Sequence, residues 1–359
     1  MNDAGALNVG IAGTGAIGFA YAAWLANAGH AVTLWSPGGT GANALLDQPL
    51  VATGVVSAQV RVRVASDAAA LARDARVLVI AAPVNGHRAV MDALLPHLRD
   101  GQCVLVSSMS SLSSLYLFEA ARRGGRDITV MSLGTTVLTA RREGPAQVRV
   151  MTRRVAFGMS ALPAARTGMA LDLGRALFGD GFCAHDNALA SALTNINPVA
   201  HAPLAIFNWT RIERAEPWPQ YHYMTGRVAA VIEQLDAERR ALATAFGLSV
   251  RGIEEHFAQS FATTAARLAD IAAELHARRG GPPGPTDIKT RFLSEDVPFG
   301  LVFSLALGKV AGVATPATQA MVAAASLIAG RDFSAENNLI DPLGLAGETR
   351  SGLLGRVNR

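Results

Sequence analysis

Six residues, Gly13-Thr14-Gly15-Ala16-Ile17-Gly18, constrain the fold more than any other stretch of the chain. They spell GxGxxG, and their flanks give the pattern its meaning. Leu7-Asn8-Val9-Gly10-Ile11-Ala12 predicts a strand, Phe19 to Asn27 reads as a helix ended by Gly29, and Ala31 to Trp35 predicts a second strand. In such a unit the first glycine makes the tight turn and the second lets the backbone approach a pyrophosphate. The third lets the helix pack on the strand. The helix N-terminus adds free N–H groups for the phosphates. Dinucleotide binding by Gly13, Thr14, Gly15, Ala16, Ile17 and Gly18 is the expectation, against a glycine turn in a non-binding α/β fold.

The alternation continues. Val60–Val64 and Val77–Ala81 predict a third and fourth strand, Gly86–Leu98 a helix, Cys103–Val106 a strand, Ser114–Arg123 a helix and Ile128–Met131 a strand. The strand-like runs Gln147–Met151 and Arg154–Phe157 are expected to extend the same sheet, before a helix over Ala164–Phe178. Short apolar strands separated by helices are the pattern of a parallel sheet wound with helices.

After about Asp186 the period changes. Val228, Val231, Ile232, Leu235, Leu242 and Phe246 fall at three- and four-residue steps, the spacing of an amphipathic helix. A further helix is expected over Ile253–Ala277, a loop at Gly280–Pro285, and helices over Phe299–Ala311 and Pro316–Ala329, the latter capped by Thr315. The fold class is therefore α/β. An N-terminal Rossmann-type doubly wound sheet in residues 1–186, the NAD(P)-binding domain, is followed by an all-helical C-terminal domain in residues 187–359, the substrate and catalytic domain.

Composition narrows the partners. Half of the 359 residues are hydrophobic, yet no long apolar stretch escapes a charge or a proline, so no membrane partner is expected. The opening MNDAGALNVGIAG leads straight into the glycine loop and reads as a folded strand, not a signal peptide. Cys103 and Cys183 define neither a disulfide framework nor a metal site, which points to a cytoplasmic protein without metal. Net charge is +4, but the arginine pairs are scattered without interleaved aromatics, so no nucleic acid is expected.

The second strand runs into Trp35-Ser36-Pro37-Gly38. A carboxylate near Ser36 would bind a free ribose 2′-hydroxyl and repel a 2′-phosphate. Its absence favours NADP(H) over NAD(H), with Ser36 at the ribose, although no arginine adjoins Ser36. Ala82 and Pro83 follow the fourth strand, where carboxyl ends of strands line the cofactor crevice. His87 stands either as a structural helix-start residue or as a functional one.

The chemistry gathers in two later segments. Asn195-Ile196-Asn197-Pro198-Val199-Ala200-His201 predicts a helix start capped by Asn197, with His201 in the first turn, where the positive helix end favours a neutral imidazole. Arg291-Phe292-Leu293-Ser294-Glu295-Asp296-Val297-Pro298-Phe299-Gly300 sets charges beside an apolar helix, and such charges must be solvated, paired or used. Hydride transfer to a carbonyl or imine needs a proton donor, a group to orient it and an anchor for the substrate. His201, Asp296 and Arg291 can fill those roles in that order.

On these residues the chain resembles the opine dehydrogenase family of the octopine/nopaline dehydrogenase type. The resemblance is carried by the Gly13–Gly18 loop, Asn197-Pro198-x-x-His201, Arg291-x-x-x-Glu295-Asp296-Val297-Pro298 and Gly312-Val313-x-Thr315-Pro316. It implies reductive condensation of a 2-oxo acid with the amino group of an amino acid. It further implies that His201 is the catalytic histidine, Asp296 its partner and Arg291 the carboxylate-binding residue, with Asn197 at the substrate. Two stretches depart from the pattern: Ser107-Ser108-Met109-Ser110-Ser111 replaces a glycine-rich turn, and Gly134 to Arg141 matches only loosely.

Two other readings stay open. A ketopantoate-reductase-like or other 2-oxo/3-hydroxy acid oxidoreductase shares the domain plan, but it takes its proton from a lysine early in the helical domain. This chain has only Lys289 and Lys309. A non-catalytic NADP(H)-binding regulator would keep the glycine loop without needing His201, Arg291 and Asp296 together. The apolar helices Phe299–Ala311 and Pro316–Ala329 suit a homodimer interface and a core equally well.

Overall fold

The structure, a computed structural model, describes residues 5–359. The expectation drawn from the chain's start concerns in part residues 1–4, which lie outside those described. The chain divides into two compact units, one running to Ala192 and taking in Gly355–Arg359, the other formed by Leu193–Leu354. The sequence-based division left residues 187–359 together. The last helix, Arg350–Val357, carries its end into the first unit, where Arg356 forks onto Glu119 through Nε to Oε1 at 2.8 Å and Nη2 to Oε2 at 2.7 Å.

The first unit holds β1 (Asn8–Ala12), β2 (Ala31–Trp35), β3 (Leu50–Gly54), β4 (Ala58–Val60), β5 (Arg63–Val64), β6 (Val77–Ile80), β7 (Cys103–Val106), β8 (Thr129–Leu133), β9 (Leu138–Gly144), β10 (Gln147–Arg153), β11 (Phe157–Leu162) and β12 (Phe182–Ala184). Eight form one sheet in the order β12-β11-β8-β7-β6-β1-β2-β5. It is parallel from β8 to β5, and β11 joins antiparallel to β8. Every residue of β6 and β7 is buried, as befits strands covered on both faces.

The remaining four strands form a second sheet, ordered β4-β3-β10-β9. This corrects two expectations. The run Gln147–Met151 does not extend the main sheet but belongs to β10, paired antiparallel with β9 and parallel with β3. The run Arg154–Phe157 is not a strand; β11 starts at Phe157. Burial gives the reason: Val148 and Val150 are buried while Gln147 and Arg149 are exposed, the alternation of a sheet with one wet face. The expected strand Val60–Val64 is likewise two, β4 in the second sheet and β5 beside β2 in the first.

All regular elements of the second unit are helices, packed around Ile232, Leu235, Ile253, Ile271, Leu275, Leu301 and Val322. The expected helix over Ile253–Ala277 is broken into Ile253–Phe261 and Leu268–Arg279, because Ala262 is left-handed at a φ of 49°. Helix Gly226–Ala245 carries two buried carboxylates that receive other helix starts. Asp236 Oδ2 accepts from Ile253 N at 3.1 Å, while Arg239 Nε and Nη2 donate to Asp236 Oδ1 at 2.8 and 2.6 Å. Glu238 accepts from Ala317 N at 2.7 Å, Thr318 N at 2.9 Å and Thr318 Oγ1 at 2.7 Å. Thr315 does precede helix Pro316–Ala329, but its side chain makes no capping bond; Glu238 takes over that work.

Candidate active site

The glycine loop sits at the centre of the main sheet's carboxyl edge. β1 is flanked by β6 and β2, Gly13 N donates to Trp35 O at 2.8 Å, and Ala81 N donates to Ala12 O at 2.8 Å. Gly13 holds a φ of +137°, and a Cβ there would lie 2.5 Å from Ala81 O, so only glycine fits. A Cβ on Gly18 would overlap the Gly13 carbonyl, which ties the third glycine to close packing of helix and loop. At Gly15 a Cβ would meet nothing within 4 Å. Space therefore lies open before the start of helix Ala16–Asn27, and the loop fits a dinucleotide pyrophosphate.

Around the loop, Thr14 Oγ1 donates to Ser36 Oγ at 3.1 Å. Ala82 is half-buried and Pro83 exposed at the end of β6. His87 is fully buried and fixes this corner. Its Nε2 lies 3.0 Å from Ala82 O and its Nδ1 2.9 Å from Ser113 Oγ. A carbonyl can only accept, so Nε2 carries the proton and Nδ1 accepts from the hydroxyl. Burial pushes the His87 pKa down to about 4, opposed weakly by the bond to Ala82. The serine-rich segment after β7 has Ser108, Ser111 and Leu112 at positive φ. Ser107 Oγ and Tyr21 OH lie 2.7 Å apart, and Val137 N donates to Tyr21 OH at 3.0 Å, linking that segment to the chain after β8.

In the second unit, helix Asn197–Phe207 starts one residue earlier than a cap at Asn197 would place it. Asn197 is its first residue, and its N–H is received by Asn195 Oδ1 at 3.0 Å. His201 is thus the fifth residue, past the first turn where the helix field is strongest. Its environment is set instead by a direct partner: Nδ1 lies 2.8 Å from Asp296 Oδ2, with side-chain exposures of 15% and 6%. A carboxylate accepts, so Nδ1–H donates and Nε2 is the ring atom left to exchange a proton. Asn197 lies one turn before His201 on the same helix face.

Asp296 precedes a π-helical turn, Val297–Leu301, that leads into helix Val302–Ala311. The expected helix from Phe299 therefore begins irregularly. A Cβ on Gly300 would overlap the Pro198 ring, so glycine lets the π turn press against the start of the histidine's helix. Asn337 Nδ2 donates to Pro298 O at 2.8 Å and holds the turn from behind. Phe292, buried, stacks flat on His201 with ring centroids 3.8 Å apart and planes at 0°. Arg291 is 57% exposed, with its guanidinium 5.9 Å from the Phe292 ring centroid and 4.0 Å from Glu295 Oε2. A pair that long and that wet holds its charge weakly. His201, Asp296, Phe292 and Arg291 are thus neighbours.

Known proteins bear on this arrangement. Residues 184–329 match the model of the alpha-helical domain of NAD/NADP octopine/nopaline dehydrogenase, and residues 9–162 that of ketopantoate reductase PanE/ApbA. The opine dehydrogenase of Arthrobacter sp. (strain 1C) is 30% identical over 97% of this chain and 98% of its own length. The chain belongs to the opine dehydrogenase family. It is accordingly an NAD(P)-dependent oxidoreductase with a Rossmann-type domain followed by a helical one. Its fold is similar to octopine dehydrogenase in complex with NADH and agmatine (TM-score 0.80, 16% identity, 97% of this chain and 98% of that one). It is also similar to NADP+-bound yersinopine dehydrogenase (TM-score 0.70, 17% identity, 98% of each). No helix among the described residues is long and apolar enough to cross a membrane.

Phe292 was not singled out from the sequence, since an aromatic between charged residues reads as a core anchor. Its spacing from Arg291 and Asp296 carries no sign of a partner ninety-one residues upstream.

Proposed function

We propose that the protein catalyses the reductive condensation of a 2-oxo acid with the amino group of an amino acid, using NADP(H) in preference to NAD(H). The observation that carries this reading is the His201–Asp296 hydrogen bond beneath the Phe292 ring, which leaves one edge of the imidazole for proton exchange. Solved octopine dehydrogenases hold NADH with pyruvate, with L-arginine or with agmatine, which supports the two substrate classes.

Gly13 to Gly18, Ser36, Ala82 and Pro83 would hold the cofactor, whose nicotinamide supplies the hydride. The chain's residues handle the proton. Neutral His201 takes a proton at Nε2 from the substrate ammonium, freeing an amine to attack the oxo carbon. The resulting imidazolium returns that proton to the former carbonyl oxygen, and a second passage through Nε2 carries a further proton from the nitrogen to the resulting hydroxyl, which leaves as water when the protonated imine forms. Asp296 keeps Nδ1–H in place and offsets the transient positive charge. Arg291 grips a substrate carboxylate, and Asn197 contacts the substrate one turn before His201. Holding both substrates together is worth at most about 7–11 kcal/mol of the barrier.

The test is oxidation of NADPH by pyruvate with a panel of amino acids. His201→Asn should lower kcat by roughly 10²–10⁴, and Arg291→Ala should mainly raise the oxo acid KM. An unchanged kcat in His201→Asn would remove the assigned role. Turnover of a 2-oxo acid without any amine would favour a ketopantoate-reductase-like reaction, a reading supported by the match over residues 9–162. Against it, the two lysines that could donate a proton, Lys289 and Lys309, are both exposed.

A further inference from the structure

The NADP(H) reading leaves a charge unanswered, since no arginine adjoins Ser36 in sequence. The fold brings one from β9. Arg142 Nη1 donates to Thr14 O at 2.9 Å, Nη2 to Gly41 O at 2.9 Å and to Pro145 O at 2.8 Å, and Nε to Gly144 O at 3.1 Å. Its guanidinium lies 4.2 Å from the centroid of the Phe19 ring. The loop after β2 is laid directly on the glycine loop: a Cβ on Gly41 would overlap Thr14 Oγ1 and lie 3.5 Å from Ser36 Oγ. Thr14 and Ser36 are themselves hydrogen-bonded at 3.1 Å.

We propose that Arg142 is the cation that selects the adenosine 2′-phosphate of NADP(H). The proposal rests on the NADP(H) preference argued above. Its hydrogen-bond partners are all carbonyls, which orient a guanidinium without neutralising it, and no carboxylate is among them. A guanidinium has five N–H donors, so one remains. The side chain is exposed, so a solvent-facing ligand can reach its field. Its anchors, Thr14 O and Gly41 O, flank the Thr14–Ser36 pair at the end of β2, where the ribose 2′ position falls in a sheet of this kind. A phosphate of about two negative charges several ångströms from a fixed cation, in surroundings close to water, gains on the order of tenfold in affinity.

The experiment measures Kd for NADPH and NADH by the fluorescence of the bound reduced nicotinamide, with 2′,5′-ADP and 5′-ADP as competitors. Proteins are wild type, Arg142→Gln and Arg142→Lys. Arg142→Gln should raise Kd for NADPH and 2′,5′-ADP about tenfold while moving NADH and 5′-ADP less than about twofold. Arg142→Lys, which keeps the charge and loses the fork, should retain most of the preference. An equal rise for both cofactors in Arg142→Gln and Arg142→Lys would make Arg142 only a clamp on the loop and overturn the inference. An NADPH preference left intact in Arg142→Gln would overturn it too. A wild-type protein that binds NADH as tightly as NADPH would overturn the cofactor reading and this inference with it.

Discussion

His87 makes the stability of the first unit depend on pH in a window that carboxylates do not control. Its imidazole is buried, neutral and bonded at both nitrogens, with its pKa moved from the usual 6.5 to about 4. The unfolded chain therefore binds a proton through this window while the folded chain does not, and stability rises with pH there. The contribution is complete above about pH 6.5 and is lost as pH falls toward about 4. Two and a half units at about 1.36 kcal/mol each give a total of roughly 3 kcal/mol, of which about 2 kcal/mol is gone by about pH 5. His30, also shifted down by burial, acts in the same direction, so wild type alone does not isolate His87. His87→Gln does, because an amide can still donate toward Ala82 O but does not titrate. Urea unfolding followed by pulse proteolysis, with mass identification of the surviving fragments, reports the first unit separately. Between about pH 8 and pH 5, wild type should lose about 2 kcal/mol more than His87→Gln. Equal losses in the two proteins would mean that His87 is not held neutral. Because His87 fixes the Ala82 carbonyl, the same acidification should weaken NADPH binding in wild type more than in the variant.

Other expectations concern the second unit. Gly300→Ala forces a methyl into the Pro198 ring, so it should cost about 1–3 kcal/mol in urea unfolding and lower kcat by shifting Asp296 against His201. Phe292→Leu keeps apolar bulk but removes the flat face over His201; kcat should fall up to about tenfold with little change in KM, and Phe292→Tyr should restore it. An unchanged kcat in the leucine variant would show that bulk rather than planarity matters. Glu238→Ala strips the acceptor from Ala317 N, Thr318 N and Thr318 Oγ1 and should destabilise the helical unit by on the order of 3 kcal/mol in the same unfolding assay.

What was legible in the sequence follows the range of the interactions involved. β2, β7 and helix Pro316–Ala329 fall on their expected residues because each is bounded by local punctuation and has one period throughout. The glycine loop was legible for the same reason, since Gly13 and Gly18 answer to atoms at the end of β6 and within the strand–loop–helix unit. The second sheet was not. β3 and β10 pair in parallel although Val51 and Gln147 stand 96 residues apart, and nothing local in either strand names the other. Their one-sided alternation does distinguish them from the fully buried β6 and β7, and that signal was available.

The residues of the candidate site divide along the same line. His201, Asp296 and Arg291 could be proposed from chemistry, because a proton carrier, a carboxylate and a guanidinium each have few uses beside an apolar segment. The parts that decide how they work come from distant backbone. Phe292 stacks on the imidazole from ninety-one residues away, and Gly300 lets the π turn reach Pro198, a contact that joins segments about a hundred residues apart. Arg142 reaches Thr14 across 128 residues by way of the second sheet, the element least visible in the sequence. A charge can be read from a sequence, whereas its position relative to a partner depends on the pairing of strands and helices. Such long-range couplings are best probed by paired variants, such as Gly300→Ala with Phe292→Leu. If the stack depends on the π turn, the two losses in kcat should fall short of additive. Full additivity would separate the turn from the stack and leave Gly300 a packing residue alone.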